Sequence, residues 1–163
     1  MIRVLSKTKP ILNKKASFNY NLLDKFEAGI VLTGNEIKQV RAGKALLTDS
    51  HVVVRDGEAF LINAYVAPYE KAAETSTDPR QSRKLLLNSR EINFLIGKLA
   101  GSNLTIVPTR LYFRRNYAKI QIALAVGKKK YDKREAIKKK EEKREAERFL
   151  RSDKLSYQKE KAS

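Results

Sequence analysis

A change in composition at Gly127 restricts the part of this chain that can form a packed core. Residues 1–127 hold 20 Lys and Arg against 10 Asp and Glu, and their apolar residues recur with the spacing of strands and short helices. Residues 128–163 hold 15 basic and 8 acidic residues, and their few apolar residues form no continuous stripe. Because a helix packs on a core through such a stripe, we expect a folded domain over 1–127 and a basic tail over 128–163.

The tail is rich in residues with high helix propensity. Glu135 with Lys139, and Glu147 with Arg151, are favourable pairs four residues apart. We predict that the tail is disordered or frayed alone and becomes helical on an anionic partner. A tail that only keeps the protein in solution is the alternative.

Two β-hairpins are predicted within residues 1–127. The first joins 51–54 to 59–66 through Asp56-Gly57, a preferred pair for a type I′ turn. The second joins 104–113 to 117–126, and its return strand alternates apolar and polar residues with the period of a strand. Residues 18–23 and 26–32 are further strand candidates.

Two helices have clear start signals. Thr33 with Glu36, and Asn88 with Glu91, match the capping box, in which each side chain bonds the backbone N–H of the other residue. The spacing predicts that one apolar stripe of the second helix faces a core, and this stripe consists of Ile92, Leu95, Ile96 and Leu99.

Several short antiparallel strands with two amphipathic helices indicate a mainly β protein. The best match is an OB-like antiparallel β-barrel with flanking short helices and a basic C-terminal tail. An SH3-like barrel or an open α+β sheet also fits the pattern.

The formal net charge of +17 indicates a polyanionic partner. Each Lys or Arg that neutralises a phosphate releases a condensed counterion, so nucleic acid is the leading candidate. An anionic membrane surface fits less well, because the tail lacks the bulky apolar face of an interfacial helix. The chain contains no Cys, no signal peptide and no apolar run long enough to span a bilayer. We therefore expect a cytoplasmic protein. We also expect it to be a monomer.

The sequence gives little support for catalysis. His51 is the single histidine, and the seven glycines are scattered without a phosphate-binding loop. We expect no catalytic residues, no metal site and no cofactor. A ribonuclease on this fold would need acid and base residues that the pattern does not supply.

Basic residues in the first 127 positions form three groups that include aromatic neighbours. Guanidinium groups fork onto phosphates, and Tyr rings stack on unpaired bases. Any one group also fits an ordinary solvated surface, but the three together predict binding to structured RNA. The groups are Lys38, Arg41 and Lys44; Arg80, Arg83, Lys84 and Arg90; and Arg110, Arg114, Arg115 and Lys119 with Tyr112 and Tyr117.

Ten short segments, in the right order over about residues 12 to 134, resemble the SsrA-binding protein (SmpB) family. They include the runs Leu12-Asn13-Lys14-Lys15-Ala16, Asp78-Pro79-Arg80 and Asp132-Lys133-Arg134. The others are 26–34, 36–38, 40–44, 49–50, 83–88, 90–92 and 127–129. Each segment alone is weak, whereas the ordered set is highly specific.

The resemblance implies an OB-type barrel that binds the tRNA-like domain of transfer-messenger RNA. It also implies delivery of that RNA to stalled ribosomes for trans-translation, with the tail lying in the empty mRNA channel as a helix at the small-subunit decoding centre. The alternative is a general structured-RNA-binding or ribosome-associated barrel protein without a transfer-messenger RNA role.

The resemblance also implies roles for particular residues. Asn13, Glu27 and Leu86 match positions linked to RNA binding. Glu27 would accept hydrogen bonds from bases or 2′-hydroxyls, orient a nearby Arg or Lys, or form a structural ion pair; Leu86 would support a base or pack. Basic residues complete the predicted RNA-binding set, namely Lys14, Lys15, Lys38, Arg41, Lys44, Arg80, Arg83 and Lys84.

The segment implied for the ribosomal decoding region consists of Gly127, Lys128, Lys129, Tyr131, Asp132, Lys133 and Arg134. Tyr131 stands where many relatives carry His. Its ring can stack on a base, but it cannot become cationic near neutral pH.

Overall fold

A computed structural model describes residues 8–72 and 77–161. The chain divides into two compact units, Met1–Gly127 and Lys128–Ser163. Residues 1–7, 73–76 and 162–163 of the predicted domain and tail lie outside the described residues.

The strands of the first unit are β1 (Ile11–Leu12), β2 (Tyr20–Ile30), β3 (Ala45–Leu46), β4 (His51–Arg55), β5 (Glu58–Ile62), β6 (Tyr65–Val66), β7 (Arg83–Leu86), β8 (Thr105–Arg114) and β9 (Tyr117–Gly127). Its helices are α1 (Lys14–Asn19), α2 (Gly34–Arg41) and α3 (Ser89–Leu99). The second unit contains α4 (Lys130–Lys161).

Seven of the strands form one antiparallel sheet in the order β1-β8-β4-β5-β7-β2-β9. Strand β8 also pairs with β9, so the pairing continues from the last strand of that order back to the second. Strands β3 and β6 form a separate two-stranded sheet. The prediction of a mainly antiparallel β protein with flanking helices is confirmed.

The inward faces of the strands supply the hydrophobic core. In β9 the apolar side chains predicted to share one face include Ile120, Ile122 and Leu124, and all three are almost completely buried. Burial of one such side chain contributes about 1.5–3 kcal/mol. Residues from the other strands complete the core, among them Val52, Leu61, Leu85 and Ile106.

Both predicted hairpins are present. Strands β4 and β5 join through Asp56 and Gly57, whose φ angles of 50° and 72° have the sign that a type I′ turn requires. Strands β8 and β9 join beyond the pair Arg114 and Tyr117, through a turn in which Arg115 has a φ of 58°. The return strand of the first hairpin ends at Ile62, whereas the sequence predicts 59–66. Asn63 has a φ of 63°, which breaks the strand, and Tyr65–Val66 pairs with β3 instead.

The two strand candidates at 18–23 and 26–32 form a single strand, β2. The register of its pairing with β9 shifts between Leu22 and Lys25. This irregularity interrupts the apolar pattern of the strand, so the sequence shows two candidates where one strand forms. Phe18 lies in α1 and not in a strand. The prediction of two separate strands is therefore wrong.

The capping box at Thr33 has both predicted hydrogen bonds, and at Asn88 the bond from the backbone N–H to Glu91 is present. The Thr33 hydroxyl oxygen accepts from the Glu36 N–H at 3.3 Å, and the Thr33 N–H donates to Glu36 Oε2 at 2.9 Å. The Asn88 N–H donates to Glu91 Oε2 at 3.0 Å. The core-facing stripe of α3 is narrower than predicted, since Leu95 is fully buried while Ile96 is 43% exposed.

The second unit is one helix of 32 residues, α4. Its large apolar side chains, including Ile137, Phe149 and Leu150, are exposed. That the tail becomes helical only on a partner stays a prediction. In the part of the chain that the structure describes, no helix combines the length and apolarity needed to cross a membrane.

Candidate RNA-binding surface

The outward faces of four neighbouring strands form a continuous surface. Gly29 of β2 pairs with Leu86 of β7 on one side and with Lys119 of β9 on the other, and Lys119 pairs with Tyr112 of β8. Glu27 lies two residues from Gly29 on the same face of β2. The structure therefore brings together two of the predicted RNA-binding residues, Glu27 and Leu86.

Leu86 lies directly over the backbone of Gly29. A Cβ atom at position 29 would lie 3.2 Å from Leu86 Cβ and 3.3 Å from Leu86 Cδ1. Glycine at this position allows the close approach. Leu86 remains 56% exposed, so it packs on the sheet and still presents an apolar surface to solvent.

Glu27 contacts two side chains of the second hairpin. The Tyr112 hydroxyl donates to Glu27 Oε2, and Arg114 Nη1 lies 3.4 Å from Glu27 Oε1. The guanidinium carbon of Arg110 lies 4.9 Å from the centre of the Tyr112 ring. Three roles are predicted for Glu27: binding RNA groups, orienting a nearby Arg or Lys, and forming a structural ion pair. The contact with Arg114 fits the second and the third.

The hydrogen bond to Tyr112 also affects protonation. The bond from the Tyr112 hydroxyl lowers the pKa of Glu27, and the charges of Arg114 and Lys119 add to this effect. Partial burial raises the pKa of Tyr112, and its hydrogen bond to Glu27 raises it further. At neutral pH the carboxylate is therefore charged and the phenol keeps its proton.

Asn13 faces the interior. Its Nδ2 donates to the carbonyl oxygens of Leu47 at 3.1 Å and Pro108 at 2.9 Å, and its backbone N–H donates to Thr109 O at 2.8 Å. These bonds join the segment before α1 to β8 and to the segment before β4. The neighbouring Lys14 and Lys15 begin α1 and are exposed.

The basic residues of α2, Lys38 and Arg41, lie on its exposed side. Lys38 Nζ lies 4.8 Å from the centre of the Tyr69 ring, and the Arg41 guanidinium carbon lies 5.0 Å from the centre of the Phe113 ring. The second contact brings the end of α2 next to the second hairpin. Lys44 follows the helix and is exposed.

Arg83 is predicted to face RNA, but the structure buries it to 3% exposure. Its Nε donates to Glu36 Oε1 at 2.8 Å, and its Nη2 lies 2.7 Å from the same oxygen. The remaining N–H groups donate to the carbonyl oxygens of Ala64, Gln81 and Pro79. All five N–H groups of this guanidinium thus have protein partners, so Arg83 stabilises the fold.

The neighbours of Arg83 do reach the surface. Arg80 is exposed, donates to Asn63 O at 3.1 Å and lies over the Tyr65 ring at 5.5 Å. Lys84 is exposed on β7 and forms an ion pair of 2.5 Å with Glu58.

The predicted decoding-region residues lie at the junction of β9 and α4. Gly127 is the last residue of β9, and Lys128 and Lys129 precede α4. Tyr131 is 69% exposed in the first turn of the helix. Asp132 is the acidic residue of that turn, Lys133 N–H donates to Lys129 O at 3.2 Å, and Arg134 is exposed.

The sequence does not indicate that Glu27 meets the second hairpin. Tyr112 and Arg114 lie 85 and 87 residues further along the chain. Their aromatic and basic character is visible in the sequence, but the pairing of β2 with β9 that brings them to Glu27 is not.

Comparison with known proteins gives one consistent family. The family model for SmpB protein matches residues 10–152. The SsrA-binding protein of Sulfurihydrogenibium sp. is 55% identical over 139 residues, covering 85% of this chain and 91% of that protein. The SsrA-binding protein of Persephonella marina is 52% identical over 133 residues, covering 82% and 88%.

A solved structure of tmRNA–SmpB in the bacterial ribosome contains a chain with the same fold. That chain is 44% identical to this one, with a TM-score of 0.63. The match covers 78% of this chain and 94% of that one.

Proposed function

Since this chain belongs to the SmpB family, we propose that it binds transfer-messenger RNA and delivers it to stalled ribosomes for trans-translation. The observation that carries this function is the match over residues 10–152, together with the likeness to a chain of a tmRNA–SmpB complex in the ribosome. The net charge of +17 suits a partner made of RNA. The protein acts in the cytoplasm as a monomer, without catalysis and without a cofactor.

The first unit would be the part that binds the tRNA-like domain. An OB-like barrel is the fold we assign to it, supported by six strands that each pair on both sides: β2, β4, β5, β7, β8 and β9. Its RNA-contacting set comprises the exposed residues Lys14, Lys15, Lys38, Arg41, Lys44, Arg80, Lys84 and Leu86. Glu27 supports this set through its contacts with Tyr112 and Arg114, and Asn13 and Arg83 support it from the interior by stabilising the fold.

The second unit would enter the ribosome. A helix of 32 residues is about 48 Å long, which suits a long narrow channel lined by RNA phosphates. Residues 128–163 carry a net charge of +7, and a segment of that charge is attracted to such a lining. The exposed ring of Tyr131, next to Asp132 and Arg134, would stack on a base of the decoding region.

The test is binding of the protein to the tRNA-like domain of transfer-messenger RNA, with an elongator tRNA as competitor. A salt concentration of about 150 mM screens weak attraction to the phosphate backbone. We expect a strong preference for the tRNA-like domain. Equal affinity for both RNAs would contradict the proposal and leave a general structured-RNA-binding protein.

A further inference from the structure

Glu27 is a carboxylate on a surface that is otherwise basic. The charged side chains that act on it are Arg114 and Lys119, and Arg110 lies against the Tyr112 ring that bonds it. A negative charge here repels RNA phosphates, so simple electrostatics predicts that its loss would strengthen RNA binding. A role in binding therefore requires that Glu27 act in some other way.

Both carboxylate oxygens of Glu27 already accept from the protein. Oε2 accepts from the Tyr112 hydroxyl and Oε1 from Arg114, so one side chain of β2 connects two side chains of the second hairpin. The lowered pKa of Glu27 keeps it charged, and the raised pKa of Tyr112 keeps its hydroxyl a donor. Both contacts thus persist through the neutral pH range.

The two arginines next to Glu27 remain available to a partner. The Arg114 side chain is 72% exposed although it contacts Glu27. Arg110 is exposed, and its guanidinium group lies above the face of the Tyr112 ring. A cation in this position is attracted by the ring. A guanidinium has five N–H groups, so one contact with the protein leaves others for phosphate oxygens.

We propose that Glu27 is a positioning residue that contacts no RNA itself. It fixes Arg114 directly and Arg110 through the Tyr112 ring, so that the two guanidinium groups bind neighbouring phosphates of the RNA backbone. Side chains that are oriented before binding lose less conformational entropy when the complex forms. This inference rests on the proposed function and identifies a phosphate-binding site within it.

A double-mutant cycle tests whether Glu27 acts through Arg114. The variants are Glu27→Ala, Arg114→Ala and the combination of the two, measured with the full chain and the tRNA-like domain. We expect each single change to weaken binding about tenfold, in the range of a charge-assisted contact. The combination should weaken binding by clearly less than the product of the two single losses, because only the effect of Glu27 on Arg110 remains once Arg114 is absent. Losses that multiply would overturn the proposal, and so would tighter binding by Glu27→Ala.

The salt dependence of binding supplies a readout that a merely structural role would not change. Each phosphate contact contributes about 0.7–0.9 to the slope of log affinity against log salt. We expect both Glu27→Ala and Arg114→Ala to reduce the magnitude of that slope by at least the amount that one phosphate contact contributes. An unchanged slope in Glu27→Ala would overturn the proposal.

Two further variants serve as controls. Asp56→Asn removes one negative charge in the turn between β4 and β5, where Asn tolerates the positive φ. It should leave affinity and slope unchanged. Glu27→Gln keeps an oxygen that accepts from Tyr112 but loses the charge that attracts Arg114, so it should recover part of the binding lost in Glu27→Ala. If Glu27→Ala fails to fold, Glu27→Gln replaces it in the cycle.

Failure of the inference can be told apart from failure of the proposed function. If the unmodified protein binds elongator tRNA as tightly as the tRNA-like domain, the proposed function is wrong. The same cycle on elongator tRNA then still decides whether Glu27 acts through Arg114.

Discussion

Two buried polar side chains, Asn13 and Arg83, donate to backbone carbonyl groups inside the first unit. Both residues stand in the predicted RNA-binding set, Asn13 through the family resemblance and Arg83 as a member of a basic group. Their partners lie elsewhere in the chain: Asn13 reaches residues 34 and 95 positions away. Residue type is therefore visible in the sequence, but the direction of the side chain depends on the tertiary fold.

The change Asn13→Ala should destabilise the first unit by about 1–3 kcal/mol, because the buried Pro108 carbonyl group loses this donor while the Leu47 carbonyl group still accepts from Ser50. Urea unfolding followed by circular dichroism measures this free energy. Lys14→Ala, at the exposed neighbouring position, should change it by less than about 0.5 kcal/mol. A stable Asn13→Ala protein that no longer binds RNA would mean that Asn13 contacts the RNA directly.

Local signals predict individual elements well, and pairing between distant segments accounts for what they miss. The turn at Asp56-Gly57 and the capping boxes at Thr33 and Asn88 involve residues within a few positions of one another. Short elements such as β1, β3, β6 and α1 depend on partners far along the chain, and no local pattern marks them. The shift within β2 likewise exists only relative to β9.

Helix α2 is connected to β7 by the ion pair of Glu36 with Arg83, and the strength of this ion pair depends on pH. Burial raises the pKa of Glu36, but the bonds from the Thr33 N–H, Arg83 and Gln81 outweigh it, so its pKa lies below the ordinary 4.5. A lowered pKa means that the charged form stabilises the folded state. That contribution is fully present above about pH 4.5 and is lost as the pH falls through the pKa of folded Glu36.

We therefore expect Glu36→Gln to destabilise the protein at pH 7 by about 3–5 kcal/mol, since Arg83 would remain buried without its counter-charge. The difference from the unmodified protein should narrow between pH 7 and pH 3, because Glu36 takes up a proton as the pH falls through its lowered pKa. Urea midpoints at the two pH values measure this. Glu58→Gln, at the exposed pair with Lys84, should cost no more than about 1 kcal/mol. A difference that is equal at both pH values would contradict the linkage.

The whole molecule combines a sheet-based unit with a charged helical unit, and the two carry charge differently. The first has a net charge of +10 over 127 residues, and residues 128–163 have +7. The sequence predicts this division because apolar periodicity stops at Gly127, where the described sheet also ends. Without a partner, α4 is in equilibrium between helix and coil. Helix propensity alone leaves the free energies of these two states close to equal.

Removal of residues 128–163 should leave binding to the tRNA-like domain mostly intact and abolish ribosome rescue. The reason is that the proposed RNA-contacting residues all lie in the first unit. Affinity is measured at about 150 mM salt, and rescue by the release of ribosomes stalled at the end of an mRNA. Complete loss of RNA affinity in the shortened protein would contradict this division of roles.

The pairing of the sheet has a consequence for how the protein behaves when it is crowded. Each of β2, β4, β5, β7, β8 and β9 has a neighbouring strand on both sides. A strand with a free side offers a row of unpaired amide and carbonyl groups on which another chain can add, which is how many β proteins begin to aggregate. Here these six strands already have partners on both sides within one molecule, so copies gathered on the same RNA or ribosome gain little by joining strand to strand.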